Sequence, residues 1–238
     1  MAYLREYFAS IPLIERETTR IVISDMYEAY DAVSRQYFPK AMHVVDLFHV
    51  ITQLTNAVNR LRTRAMNTVA SQGSNLYNFM KSHWKLFLCR HANIPDKFYS
   101  YRKSGDIVHY DDMVFQCIKI NNSLWTGYSI LQELFKYVSY TNYEDATNFI
   151  IRISNRLIDS GEEMLVFVGR TYHKWRFEIA NGLARSQGHR PYSNSIAEVV
   201  NNHLKTIIKS AYGYHNFERF RKRALLISSN AKSKRKEP

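Results

Sequence analysis

The spacing of apolar positions along the chain changes period several times, and each change marks an element. Residues 20–24 (RIVIS) form a short β-branched run ending at Asp25, which predicts a strand. The next stretch, MYEAYDAVSRQYF, places Tyr27, Tyr30, Val33 and Tyr37 at helical spacing, and Pro39 stops that helix. Met42 to Val45 is strand-like again and ends at Asp46. The unit reads as strand–helix–strand, with an acidic residue at the carboxyl end of each strand. Open α/β sheets commonly hold functional groups there. A long helix is expected from Leu47 to about Ala70, with Val50, Leu54, Ala57, Val58 and Leu61 as its buried stripe.

From 71 to 160 the pattern is helical, aromatic and irregular. Trp84, Phe87, Trp125, Leu131, Leu134 and Phe135 are expected core residues, and residues 96–112 a loop or short hairpin. Phe149 to Leu157 and Leu165 to Ala184 are further helices, the second with Trp175 and Ile179 on one face. A polar break, SQGHRPYSNS, precedes a helix from Ile196 to Ser210. After it come AYGYHNFERFRKRALL and a tail, NAKSKRKEP, expected to be disordered. With eight Gly and five Pro in 238 residues, the chain favours long helices with few tight turns over an all-β sandwich.

Composition adds a core and a charge. A hydrophobic content of 45% and an aromatic content of 14% suffice to bury one large domain. The net charge of +12 is unevenly spread: from Asn201 onward there are ten basic residues and two acidic ones. A basic end of this kind suits a polyanion such as nucleic acid, and equally a solvated terminus that aids solubility. Arg60, Arg62 and Arg64 leave the same pair of readings open, phosphate contacts or a solvated helix end. Cys89 and Cys117 have no metal-binding spacing and fit a reducing cytoplasm. No apolar run approaches the ~18 residues of a membrane span, and the amino terminus lacks signal-peptide character. Neither a membrane nor a small-molecule substrate is expected as a partner.

The helix from Ile196 carries the chemistry. Ile196, Val200, Leu204, Ile207 and Ala211 fall on one side and should bury. Asn194, Glu198, Asn201, Lys205 and Lys209 fall on the other. A carboxylate flanked by amides and lysines is what metal-dependent phosphoryl transfer on a nucleic acid requires, the acid holding the ion and the rest the backbone. Against this stands a simpler reading. Ser195 and Glu198 match the S-x-x-E capping box, which would only close the first helical turn. Asp25 likewise reads as a helix N-cap, and His49 as a packed helix histidine.

Several ordered strings carry a resemblance beyond these patterns. LREYFASIP, ISDMYEAY, YFPKAMHVVDLFHV, SHWKLFL, PYSNSIAEVVNNHLKTIIK and AYGYHNFERFRKR, spread from Leu4 to Arg223, resemble the ISL-three family of insertion-sequence transposases. Leu47, where the family usually has a basic residue, and Ser210, where a second basic residue is common, depart from its pattern. The resemblance implies a helix-rich α/β fold: a partial ribonuclease-H-like core in 1–70, a large helical insertion in 71–160, and carboxy-terminal core helices in 161–223. A basic disordered tail would fill 224–238.

The resemblance also implies a site. Asp25 and Glu198 would be the second and third catalytic carboxylates and metal ligands, for Mg²⁺ or Mn²⁺. Asp46, His49, Asn194 and Asn201 would be active-site support. Lys205, Lys209, Arg219, Arg221 and Arg223 would grip DNA. Tyr212, Tyr214 and Phe217 would stack on bases or pack a terminal helix. Family members carry a zinc-binding and helix-turn-helix region and three further strands ahead of this point, the first strand bearing an Asp. With 24 residues before Asp25, the first catalytic Asp is expected to be absent, and the edge of the 20–24 strand to be bare. Three functions follow as expectations: a truncated transposase that binds DNA without cutting it, an enzyme completed by an upstream frame, or a regulator that assembles with itself or with intact transposase.

Overall fold

The structure, a computed structural model, describes residues 1–70, 75–101, 104–137, 142–184 and 192–233, without the side chains of Ile196 and 228–233. Most of the polar break (185–191) and the end of the tail (234–238) lie outside the described residues. The chain divides into two units, Met1–Tyr192 and Ser193–Pro238.

Two short amino-terminal helices, α1 (Ala2–Ser10) and α2 (Leu13–Arg16), lead into β1 (Ile21–Ser24). After α3 (Glu28–Tyr37) comes β2 (Met42–Val45), which pairs with β1 in parallel, from Ile21 opposite Met42 to Ser24 opposite Val45. The β-branched run and the helical spacing after it thus produce the expected strand–helix–strand unit. Among the described residues this sheet has two strands. In parallel pairing alternate amides face away from the partner, and among the described residues those on the outer edge of β1 have no ladder partner.

From β2 the chain enters α4 (Leu47–Thr68), whose stripe of Val50, Leu54, Ala57, Val58 and Leu61 is buried as its period requires. The helices that follow are α5 (Asn75–Ser82), α6 (Tyr110–Ile118), α7 (Asn122–Tyr137), α8 (Tyr143–Asp159), α9 (Glu163–Lys174) and α10 (Arg176–Leu183). A small antiparallel hairpin, β3 (Phe98–Ser100) with β4 (Ile107–His109), sits in the stretch read as loop or hairpin. One continuous core runs through this unit from Val45 to Leu183. It includes Phe87, Leu131, Leu134 and Ile179, so residues 75–159 share their core with α4, α9 and α10. In the second unit α11 (Ser195–Ser210) and α12 (Phe217–Ser233) pack against each other.

Several expectations from spacing are corrected here. Trp84 and Trp125 are each 41% exposed, while their near neighbours Phe87 and Leu124 are buried. Tyr27 and Tyr30 face outward and stack edge-on with each other, leaving Val33 as the buried anchor of α3. Residues 165–184 form two helices, broken at Trp175, whose ψ of 17° lies off the helical value. Arg62 is only 7% exposed. Its guanidinium donates to the Met80 carbonyl at 2.8 Å and to Asn59 and Thr63, so it is a packing residue and not a phosphate contact. Finally, α12 continues as helix to Ser233, well into the stretch expected to be disordered.

Candidate metal and nucleic-acid site

The carboxyl edge of the parallel pair brings two acidic residues side by side. Ser24 pairs with Val45, and the Asp46 amide donates to the Ser24 carbonyl at 2.9 Å. Asp25 and Asp46 therefore leave neighbouring strands at the same level, with the usual strand separation of about 4.8 Å. Their circumstances differ. Asp46 is buried, and its Oδ1 accepts from the Phe48 amide at 3.0 Å, which caps α4. Asp25 does not cap α3. That helix begins at Tyr27 with no side-chain cap. Asp25 Oδ1 is withdrawn from solvent and has no hydrogen-bond partner among the described residues. A buried carboxylate oxygen left unpaired costs about 1–3 kcal/mol or more, so a fold that keeps one has a use for it. His49, one turn into α4, is half-buried with its ring edge-on to Phe48 at 5.5 Å.

The strand end is held from behind by α9 and α10. Asn181 Nδ2 donates to the His43 carbonyl at 2.8 Å, and the buried Tyr172 hydroxyl donates to the Val50 carbonyl at 2.5 Å. Between these contacts, Gly182 lies so near the strand that a Cβ there would stand 2.8 Å from the Val45 carbonyl oxygen. A glycine inside a helical stretch is the sequence signal for such an approach. On the other flank Arg35 joins Asp31 to Glu178, and Lys174 pairs with Glu28, tying α3 to α9 and α10. The loop bearing Asp25 is thus slung between fixed elements.

His43, on β2, illustrates the local electrostatics. Burial and then the charge of Arg35 push its pKa below the ordinary 6.5, against the opposing pull of Asp31 and Glu178. The two cysteines are free, and burial raises both thiols, Cys117 to about 12. Neither is a nucleophile at neutral pH.

In the second unit α11 starts at Asn194, with no side-chain cap. The capping box does not form. Ser195 lies inside the helix, its amide donating to Ser193 Oγ at 3.1 Å, and the Glu198 carboxylate has no partner among the described residues. Glu198, Asn201, Lys205 and Lys209 are exposed along one face, with Asn194 half-exposed at its start. On the opposite face Ile207 buries and Leu204 half-buries, while Val200 is exposed, contrary to expectation. The Ile196 side chain, also expected to bury, lies outside the described set. Arg219, Arg221 and Arg223 are exposed on α12, Arg221 pairing with Glu218 at 3.6 Å. Tyr212 has a φ of 54° and is fully exposed, Phe217 is exposed, and Tyr214 packs on Phe220 with ring centroids 5.4 Å apart.

Among the described residues no group of three or more His, Cys, Asp or Glu side chains converges as a complete metal-ligand set. Two carboxylate oxygens of the kind magnesium prefers, Asp25 Oδ1 and Asp111 Oδ1, are withdrawn from solvent without a hydrogen-bond partner among the described residues; of the two, Asp25 lies at the strand ends beside Asp46. No helix of the described residues is long and apolar enough to cross a membrane.

The profile of a family described as "Transposase", of the ISL-three type, matches residues 2–224. A transposase for insertion sequence element IS1001 from Bordetella parapertussis is 24% identical over 217 residues, covering 91% of this chain and 49% of that protein. A protein from Lactococcus lactis subsp. lactis named "ATP-dependent protease" is 28% identical over 120 residues, covering 50% of this chain and 36% of its own length. The chain thus spans half or less of the length of these curated relatives. No solved structure matches.

Proposed function

Because the chain belongs to the ISL-three family of insertion-sequence transposases, we propose that it forms part of a metal-dependent phosphoryl-transfer core acting on DNA. The observation that carries this reading is Asp25 Oδ1, buried and unpaired at the carboxyl edge of a parallel strand pair. Glu198 supports it. Both acids lack the capping roles that would otherwise explain them.

In this reading β1, α3, β2 and α4 are part of a ribonuclease-H-like core, residues 71–160 a helical insertion, and 161–223 the carboxy-terminal core helices. Asp25 and Glu198 are the carboxylate ligands of Mg²⁺ or Mn²⁺. Bound divalent ions would activate a water or a 3′-hydroxyl and stabilise the leaving oxygen. Asp46, by capping α4, fixes where that helix begins and where His49 stands beside the site. Asn194 and Asn201 flank Glu198 on its helix face. Lys205, Lys209, Arg219, Arg221 and Arg223 hold DNA phosphates, contacts that position the strand without reading its sequence. Two carboxylates do not make a two-metal site. A third acidic ligand would be needed to complete it, and without one DNA is left uncut.

Titration of the chain with Mn²⁺ by calorimetry tests the reading. The unaltered protein binds the ion weakly, Asp25→Asn abolishes the binding, and Asp31→Asn leaves it unchanged. Binding that survives Asp25→Asn would overturn the assignment. So would efficient nicking of plasmid DNA by the unaltered chain, as regards the missing ligand. The bare outer edge of β1 favours a second reading, a chain that assembles with a longer transposase and modulates it by strand addition. Mixed oligomers on co-expression with an intact copy are its signature.

A further inference from the structure

A groove of about 500 Å³ lies between α4 and α9, and its chemistry is not accounted for by the carboxylate site. The helix forming one wall is unusual in composition: its 22 residues include three arginines and a histidine and no acidic residue. Its arginines have separate fates. Arg62 is buried among its own acceptors, and Arg64 pairs with Glu162 at 2.6 Å. Arg60 is exposed on the groove and has no partner among the described residues. In the same wall Gln53 Oε1 is withdrawn from solvent with no hydrogen-bond partner, and Asn56 is exposed between them. On the α9 side Phe167 stands 65% exposed, and Glu163 occupies the rim.

His49, Gln53, Asn56 and Arg60 recur at four, three and four residues, which is one face of a helix. At 1.5 Å per residue the stripe runs about 16 Å, starting beside the Asp25–Asp46 strand ends. A free cation and two amides on a helix without carboxylates, faced by an exposed aromatic on α9, complement a polyanion that carries flat rings. Glu163, on the α9 rim, would repel such an anion toward the α4 side.

We infer that this groove binds the sugar–phosphate backbone of a DNA strand, led along α4 from Arg60 toward Asp25, with Phe167 against a sugar or base. The inference rests on the transposase reading for the identity of the anion. It adds Gln53, Asn56, Arg60 and Phe167 as binding residues.

The test is fluorescence anisotropy of the full chain with a labelled 20-nucleotide single strand and with its duplex, over a range of salt. Arg60→Ala is expected to weaken binding about fivefold to tenfold and to lower the salt slope by about one. Asn56→Arg adds a cation to the stripe and is expected to strengthen binding and steepen the slope, a gain that misfolding does not mimic. A photo-crosslinking phenylalanine at position 167 should attach to the DNA on irradiation. If the unaltered chain binds DNA and Lys205→Ala with Lys209→Ala weakens it, while both α4 variants stay within twofold and position 167 yields no crosslink, the groove assignment is wrong and the DNA reading stands. A chain that binds neither oligonucleotide overturns both.

Discussion

Replacing Gly182 by alanine should disturb the strand end that bears the acidic pair, and the geometry sets the size of the effect. The new Cβ would stand 2.8 Å from the Val45 carbonyl oxygen and 3.3 Å from Leu47 Cδ2. The leucine tip can yield, but the carbonyl belongs to β2 and cannot, so α10 must lift by roughly 0.5 Å to restore an ordinary contact. Overpacking of this kind costs about 1–3 kcal/mol. The clash is with backbone that cannot yield, which puts the cost in the upper half of that range; alanine returns about 1 kcal/mol of helix propensity, which leaves a net loss of about 1–2 kcal/mol. For a chain of this size that is a fall in Tm of about 2–4 °C per kcal/mol. Two glycines calibrate the reasoning. At Gly169 three contacts of 2.8–2.9 Å, one to the Ser154 carbonyl, predict a larger loss. At Gly127 the nearest atoms are side-chain methyls at 3.2 Å, so the change there should be near neutral. Urea denaturation of the three variants gives the order directly. A Gly182→Ala protein as stable as the parent, or Gly127→Ala as the worst of the three, would refute the proposed packing of α10 on β2.

Asp25→Asn should leave stability within about 1 kcal/mol of the parent, because Asp25 Oδ1 makes no hydrogen bond among the described residues for the change to break; a thermal melt without metal checks it, and a larger fall in Tm would give Asp25 a structural role. Arg62→Ala should cost about 3 kcal/mol, since it strands the Met80 carbonyl and opens a cavity, with denaturant titration as the measure. Tyr172→Phe removes one buried hydroxyl from the Val50 carbonyl and should cost about 1 kcal/mol by the same assay. The folded pKa of His43 lies below its unfolded value near 6.5, so the unfolded chain takes the proton first and stability falls as pH drops from about 6.5 through the folded value. His43→Gln should flatten that part of the stability–pH curve.

The sequence made the backbone plan of the amino-terminal unit readable where one periodicity dominates. The strand Met42–Val45 and the buried stripe of α4 needed only local spacing. Reading failed where the decision was made by a distant neighbour. Nothing local tells Trp125 from Leu124, and the core took the leucine. Nothing local says that Arg62 would find the Met80 carbonyl, or that the helix after Glu163 would break at Trp175 without a proline or glycine. The acidic candidates were legible as residues but not as roles. Asp25 and Glu198 each sat beside a valid capping pattern, and only the observed caps, at Tyr27 and Asn194, release them from it. For Gly182, and for the α4 stripe beyond Arg60, the meaning lies in α9, α10 and β2, which local spacing does not reveal.

In the proposed reading Asp25 and Glu198 each serve as a ligand to divalent metal. Iron(II) bound in place of magnesium, with ascorbate and peroxide, cuts a polypeptide backbone only near the metal, and mass spectrometry locates the cuts. Paired cuts beside residues 25 and 198, both suppressed by excess Mg²⁺ and both lost in Asp25→Asn, are the predicted result. Cuts at only one of the two places, or a pattern indifferent to Asp25→Asn, would contradict it.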